Sequence, residues 1–267
     1  MSVRMRNNVH VVGSGPVTMI FAHGFGCDLN MWRLLVPHYA ARHRVVTFDH
    51  VGSGSSDLKA YDKRKYNALS GYATDVNEVI EEFAEGPVVF VGHSVSAMIG
   101  MLAALRRPDN FLAHVMIGPS PCYINDGDYV GGFSRDDIKS LLDTLDANYL
   151  GWASNMAPAI MGAPEQPALG AELSASFCRT DPEIAKHFAR VTFTTDNRAD
   201  LPNLQAPVLV LQSSDDFIAP RAVGEYMVRR LPNAVLRIIE NVGHCPHLSA
   251  PSAIVREIDD FLTSVAR

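Results

Sequence analysis

No apolar run in the sequence approaches the roughly 20 residues needed to cross a bilayer, so a membrane-spanning helix is not expected. A basic excess is also missing: 23 Lys and Arg stand against 29 Asp and Glu, for a net charge of −6. That removes the electrostatic footprint of a nucleic-acid-binding protein. Cysteine is scarce, and Cys27, Cys122, Cys178 and Cys245 are too scattered for a disulfide framework. The segment from Met1 to Asn8 has no apolar core of the kind a secretion signal carries. The expectation is therefore a cytoplasmic protein with reduced thiols. Repeats and low-complexity segments are absent. Charged residues make up only 19% against 47% hydrophobic ones, which excludes a disordered chain. The glycine clusters Gly13-Ser14-Gly15 and Gly52-Ser53-Gly54 do not complete G-x-G-x-x-G ahead of a helix, so both read as turns. No cofactor is expected.

What is present is a rhythm of short apolar runs and amphipathic stretches. A hairpin is expected over 4–12, then strands over 17–22, 44–48, 88–91, 112–117, 208–212 and 235–239. Helices are expected over 31–41, 69–84, 95–107, 222–231 and 253–265. Alternation of this kind predicts an α/β protein whose mainly parallel sheet is covered on both faces. A length of 267 residues suits one large domain, or a core with an insertion.

The chemistry is concentrated at strand ends. Gly92-His93-Ser94-Val95-Ser96 follows the run Pro87 to Val91 and leads directly into a helical stretch. A serine on a strand–turn–helix junction is the nucleophile elbow of the α/β-hydrolase fold, although Ser96 stands where the motif's last glycine belongs. An acid should then follow a later strand, and a histidine a still later one. Asp216, four residues before Pro220, has the spacing of the acid; Asp215 is the alternative, read as a turn residue. His244, after Gly243, is the candidate base. The order Ser94, Asp216, His244 is the order of this fold. A serine hydroxyl needs such a base to become a nucleophile, and the base needs a carboxylate to fix its tautomer. His23-Gly24-Phe25-Gly26 follows the strand over 17–22 as a glycine-flanked loop. The backbone N–H groups of Phe25 and Val95 are accordingly the candidate oxyanion donors. His247 lies near His244, but no further ligand stands at metal spacing, so no metal site is expected. Cys27 and Cys245 are read as small apolar packing.

Between Pro121 and Ala206 the rhythm breaks. Ile138, Leu141, Leu142, Leu145, Tyr149, Trp152 and Met156 recur at helical spacing, and so do Leu169, Leu173 and Phe177. Thr180-Asp181-Pro182-Glu183 is a helix start. The organisation expected is a core of residues 1–121 and 200–267 with a helical lid over 122–199. Tyr123, Phe133, Trp152, Met156 and Phe193 are the candidate lining of a pocket beneath it.

Longer motifs carry a resemblance to a family. His23-Gly24-Phe25-Gly26-Cys27-Asp28 with Trp32, the stretch Phe48 to Asp57, and Gly92 to Gly100 resemble RsbQ-type hydrolases. So do Pro119 to Asp126, Gly131-Gly132-Phe133, Asn148-Tyr149 with Gly151-Trp152, and Gly243-His244-Cys245-Pro246-His247. That family includes a bacterial stress-response regulator and the plant strigolactone and karrikin receptors. The resemblance runs nearly end to end and implies Ser94, Asp216 and His244 as a triad, a four-helix lid and a deep apolar pocket. Ser96 is similar to the receptor branch, whereas Met156 stands where receptors have an aromatic. The activity implied is hydrolysis of a small, mostly apolar ester, lactone or related acyl compound. Two further readings remain open. One is a signalling protein whose lid contacts a regulatory partner such as a phosphatase. The other is a carbon–carbon bond hydrolase or cofactor-free perhydrolase on the same scaffold. A haloalkane dehalogenase is disfavoured, since that chemistry places an aspartate at position 94.

Overall fold

The computed structural model describes residues 1–265. A seven-stranded sheet forms its centre: β1 (His10–Val12), β2 (Thr18–Ala22), β3 (Arg44–Phe48), β4 (Val88–His93), β5 (Phe111–Ile117), β6 (Val208–Asp215) and β7 (Ala234–Val242). The spatial order is β1-β3-β2-β4-β5-β6-β7, and every pairing is parallel except the antiparallel edge of β1 on β3. Every residue of β2 and β4 is buried, as expected of central strands covered on both faces.

Alternation along the strands divides the core in two. Ile20, Val46 and Phe90 face α3 (Leu69–Phe83) and α4 (Val95–Arg106), packing with Val76, Ile80, Met98 and Met101. Met19, Phe21, Val45 and Val91 face the opposite way, against Trp32, Tyr39, Ile254 and Phe261. Those last residues come from a 3₁₀ turn (Leu29–Trp32), from α2 (Val36–Ala40) and from the C-terminal helix Pro251–Val265. Two local expectations fail. The N-terminal segment is not a hairpin: α1 (Val3–Arg6), started by the Ser2 hydroxyl, precedes β1, and β1 takes its partner from β3. The stretch 31–41 is not one helix either, because Pro37 and the preceding turns restart it as the short α2.

Four helices leave the sheet between β5 and β6: α5 (Arg135–Ala147), α6 (Tyr149–Met161), α7 (Pro167–Arg179) and α8 (Pro182–Thr194). Ser134 and Asp137 close a capping box on α5, Asn148 caps α6, and Asp181 caps α8 ahead of Pro182. Their apolar faces form a third cluster. Ile138, Leu142, Trp152, Leu173, Phe177 and Phe193 pack there with Cys27, Tyr123, Ile218 and Cys245. Those four partners follow β2, β5, β6 and β7, so the insert packs on the loops at the C-terminal edge of the sheet. The remaining helices are α9 (Arg221–Arg230), α10 (Pro246–Ser249) and α11 (Pro251–Val265).

Candidate active site

Ser94 joins β4 to α4 with φ 56° and ψ −124°. Among the described residues only Asn8 shares a positive φ outside glycine. A backbone of this kind costs about 1–3 kcal/mol and persists where its surroundings hold it. Here the Ser94 N–H donates to the Ile117 carbonyl at the end of β5, at 2.8 Å. Gly92 lets the turn close, since a Cβ there would lie 2.7 Å from the Ser96 backbone.

The Ser94 hydroxyl meets an imidazole. His244 Nε2 lies 2.8 Å from Ser94 Oγ, and His244 Nδ1 lies 2.7 Å from Asp216 Oδ2. The carboxylate only accepts, so Nδ1 carries the hydrogen and Nε2 accepts from the Ser94 hydroxyl. Asp216 Oδ1 accepts from the backbone N–H groups of Ile218 at 2.9 Å and Ala219 at 3.2 Å, which fixes the carboxylate. Asp215 is exposed at the end of β6, and its carbonyl accepts from the Gly243 N–H. The structure therefore brings Asp216, and not Asp215, to His244. The backbone of His244 is held on both sides: its N–H donates to the Ile160 carbonyl at 2.8 Å, and its carbonyl accepts from His93 Nε2–H at 2.9 Å.

The candidate oxyanion donors are the N–H groups of Val95, directly after Ser94, and of Phe25, on the loop after β2. Val95 opens α4, so its N–H has no acceptor within the helix and sits at the positive end of the dipole. Phe25 shares a trans peptide with Gly24, whose carbonyl accepts from His23 Nδ1–H at 2.8 Å. Anchoring that carbonyl towards His23 aims the Phe25 N–H the opposite way. His23 can donate from Nδ1 because its Nε2 accepts from the His50 N–H at 3.1 Å. The His50 Nε2–H donates to Ser96 Oγ at 2.7 Å, and the Ser96 hydroxyl donates to the His23 carbonyl at 2.5 Å. All three residues are buried. The chain His50–Ser96–His23 thus ties α4 to the Phe25 loop from beneath.

Ser94 opens into a narrow cavity of about 30 Å³. Of the candidate pocket residues, Tyr123, Trp152 and Phe193 line it. Phe133 and Met156 do not. The Phe133 backbone pairs with the segment at Tyr123 and Asn125, and its ring is half-buried in the outer part of the third cluster. Met156 is half-buried on α6 and packs on the same cluster, while Trp152 and Ile160, one turn to either side, reach the cavity. Phe177, Leu173, Ile218 and the ring of Phe25 complete most of the apolar wall. The Phe25 ring lies 5.7 Å from Phe177, 5.7 Å from Phe188 and 6.2 Å from Trp152, centroid to centroid, so the insert grips the loop that carries the candidate donor. Burial pushes the Tyr123 phenol up to about 12. It stays protonated near neutral pH, with its hydroxyl 3.4 Å from Ser94 Oγ. The Cys27 and Cys245 thiols are pushed up by burial as well, which leaves them neutral wall atoms. His247 lies behind the site, held neutral because burial pushes its imidazole down to about 3. Its ring packs 4.8 Å from Trp32. Among the described residues no group of three or more His, Cys, Asp or Glu could hold a metal ion.

Residues 19–257 match the Alpha/beta hydrolase family. The chain belongs to that family. It is 38% identical to a karrikin insensitive 2 receptor of Petunia hybrida over 95% of this hydrolase and 94% of the receptor. It is 36% identical to a strigolactone esterase of Arabidopsis thaliana over 93% of each chain. A hydrolase from Oleispira antarctica superposes with a TM-score of 0.95 at 43% identity, over 98% of this hydrolase and 96% of that chain.

Several residues of this hydrolase's site escape a linear reading. Ser96 reads as a defect in the elbow motif, yet it bonds the loop carrying Phe25. His50 lies two residues after β3, where the triad order assigns nothing; its signal is its place within the Phe48 to Asp57 motif, which names no role for it. Leu173 and Phe177 show helical spacing, but the spacing does not say which face meets the cavity.

Proposed function

We propose that this chain is a serine hydrolase of small, mostly apolar esters or lactones, with Ser94 as nucleophile, His244 as general base and Asp216 as its orienting acid. The observation that carries the reading is the continuous hydrogen-bonded chain Ser94–His244–Asp216, at 2.8 and 2.7 Å, opening into an apolar cavity. In the acylation step Ser94 Oγ forms a bond to the substrate carbonyl carbon while its proton passes to His244 Nε2. The carbonyl electron pair moves onto oxygen, where the N–H groups of Phe25 and Val95 would stabilise it, at about 3–4 kcal/mol for a donor. On collapse the C–O bond to the leaving alcohol breaks, and the alcohol takes the proton from His244. Water then repeats the sequence on the acyl-enzyme, returning the acid and free Ser94. Asp216 holds the Nδ1–H tautomer and stabilises the imidazolium without taking its proton.

In this reading residues 122–199 act as a lid over a core of 1–121 and 200–267. Trp152, Phe177 and Phe193 make the acyl environment apolar, and the narrowness of the cavity favours a compact substrate over a long chain. The test is turnover of short acyl esters by the wild type and by Ser94→Ala. A loss of 10³–10⁶-fold is expected, leaving only binding and oxyanion contributions. Retention of most activity overturns the assignment.

A signalling role is the second reading, in which a partner such as a regulatory phosphatase meets the lid, in the manner of RsbQ-type proteins. Two observations favour it. A relative named as a receptor matches nearly the full chain. The base is also bonded to the insert, through the His244 N–H on the Ile160 carbonyl near the end of α6. A rearranged lid would therefore move His244 directly, giving ligand occupancy and lid state a common element.

A further inference from the structure

The wall of the cavity holds a hydroxyl that the chemistry above does not use. Thr192, on α8, is 1% exposed and lines the cavity, and its Oγ1 has no hydrogen-bond partner among the described residues. A threonine in a helix ordinarily returns its hydroxyl to the carbonyl four residues back. The other helical threonines here do so: Thr74 to Ser70 at 3.1 Å, Thr144 to Ser140 at 2.8 Å, Thr194 to Arg190 at 2.8 Å and Thr263 to Asp259 at 2.9 Å. Thr192 is the exception, although Phe188 stands four residues before it on the same helix. A buried hydroxyl left without a partner in the chain is a net cost to folding, and valine would fill the same volume without it.

Its surroundings narrow what it could meet. Thr192 lines the same cavity as Ser94 and as Phe193, whose ring lies 5.1 Å from Tyr123 and 6.1 Å from Phe25. The rest of that wall is Phe25, Trp152, Ile160, Leu173, Phe177 and Ile218, with no other hydroxyl besides those of Ser94 and Tyr123. The Tyr123 hydroxyl is already directed at Ser94. An apolar cavity with one unused hydroxyl selects for an apolar molecule with one matching polar atom.

We infer that Thr192 is a specificity-determining residue that donates its hydroxyl hydrogen to a second oxygen of the substrate, an ether or carbonyl oxygen distinct from the scissile carbonyl. The substrate class is thereby narrowed from any compact apolar ester to a compact ester or lactone carrying one further acceptor oxygen. This rests on the serine hydrolase reading and deepens it.

The test uses matched pairs in which one CH₂ is replaced by oxygen. Such pairs are p-nitrophenyl butyrate with p-nitrophenyl methoxyacetate, and δ-valerolactone with 1,4-dioxan-2-one. For each pair the kcat/KM ratio of oxygenated to plain substrate is measured for the wild type and for Thr192→Val. Intrinsic electrophilicity cancels between the enzymes, so only the protein's contribution to the ratio remains. A single neutral hydrogen bond is worth about five- to tenfold. The ratio is expected to fall by that factor in at least one pair for Thr192→Val, and to stay within about twofold for Thr192→Ser. A change below about twofold in both pairs overturns the inference. Melting is the second readout: Thr192→Val should melt at or above the wild-type temperature, and a large drop would show that the hydroxyl has a partner within the folded chain, which also overturns it. Failure of the underlying reading looks different, since the wild type would then hydrolyse none of the four substrates.

Discussion

Replacing Ser96 with alanine removes a single oxygen that bonds two buried partners. The Ser96 hydroxyl donates to the His23 carbonyl at 2.5 Å and accepts from His50 Nε2–H at 2.7 Å. His23, His50 and Ser96 are all at 0% exposure, so water cannot take over either bond without opening the core. An orphaned buried donor or acceptor costs about 1–3 kcal/mol, so Ser96→Ala should destabilise the fold by about 2–6 kcal/mol. For a chain of this size that is a fall in Tm of roughly 5–15 °C. Activity should fall separately. Outright loss of an oxyanion donor costs about 10²–10³ in kcat, and a Phe25 N–H held less firmly should cost about tenfold at nearly unchanged KM. The assays are thermal unfolding and steady-state kinetics on a short ester below the variant's melting range. Ser96→Gly, which completes the generic elbow motif, should do no better, since it loses the same bonds and adds about 1 kcal/mol of helix cost. A Ser96→Ala enzyme with wild-type Tm and kcat would refute the buttress.

Asp216→Asn should lower kcat by about 10⁴, because an amide cannot hold the imidazole in its Nδ1–H tautomer; Asp215→Asn should cost less than about threefold, and the reverse ranking would move the acid. His114, on β5, is fully buried with both ring nitrogens unpartnered, and burial alone pushes its imidazole down to about 3. Its unfolded value is about 6.5, so between those limits the unfolded chain binds more protons and stability falls as pH is lowered through 6.5. At pH 5 the loss from this group is about 2 kcal/mol. His114→Leu should therefore shrink the stability difference between pH 7.5 and pH 5 by about that amount in urea unfolding, and an unaltered pH dependence would contradict the burial argument.

The parts of the site legible in the sequence are those fixed by strand ends. Ser94, Asp216 and His244 each follow a strand of one mainly parallel sheet, and parallel strands bring their C-terminal ends to a common edge. Spacing to Pro220 favours Asp216 over Asp215, and in the structure that turn folds the Ile218 and Ala219 N–H groups back onto the Asp216 carboxylate. Contacts between elements distant in the chain were not legible. His50 reaches Ser96 across 46 positions, and Ser176 donates to the Gly26 carbonyl across 150. Helical spacing likewise marks Trp152, Met156 and Ile160 as one row, but only the packing of α6 on α7 decides that Met156 stays off the cavity wall. The N-terminal segment misled for a related reason. Its apolar content fits a hairpin, yet a lone two-stranded ribbon is marginal, and β1 pairs instead with the edge of β3.

The account stands most directly on the covalent step at Ser94. Intact-protein mass spectrometry after rapid mixing with excess p-nitrophenyl butyrate, followed by acid quench and peptide mapping, measures it. The account expects one butyryl group per chain, on the peptide containing Ser94, appearing with a burst of nitrophenol and absent from Ser94→Ala. Turnover with no acyl-enzyme, or an acyl group found instead on Cys27 or Cys245 in the same cavity, would contradict it.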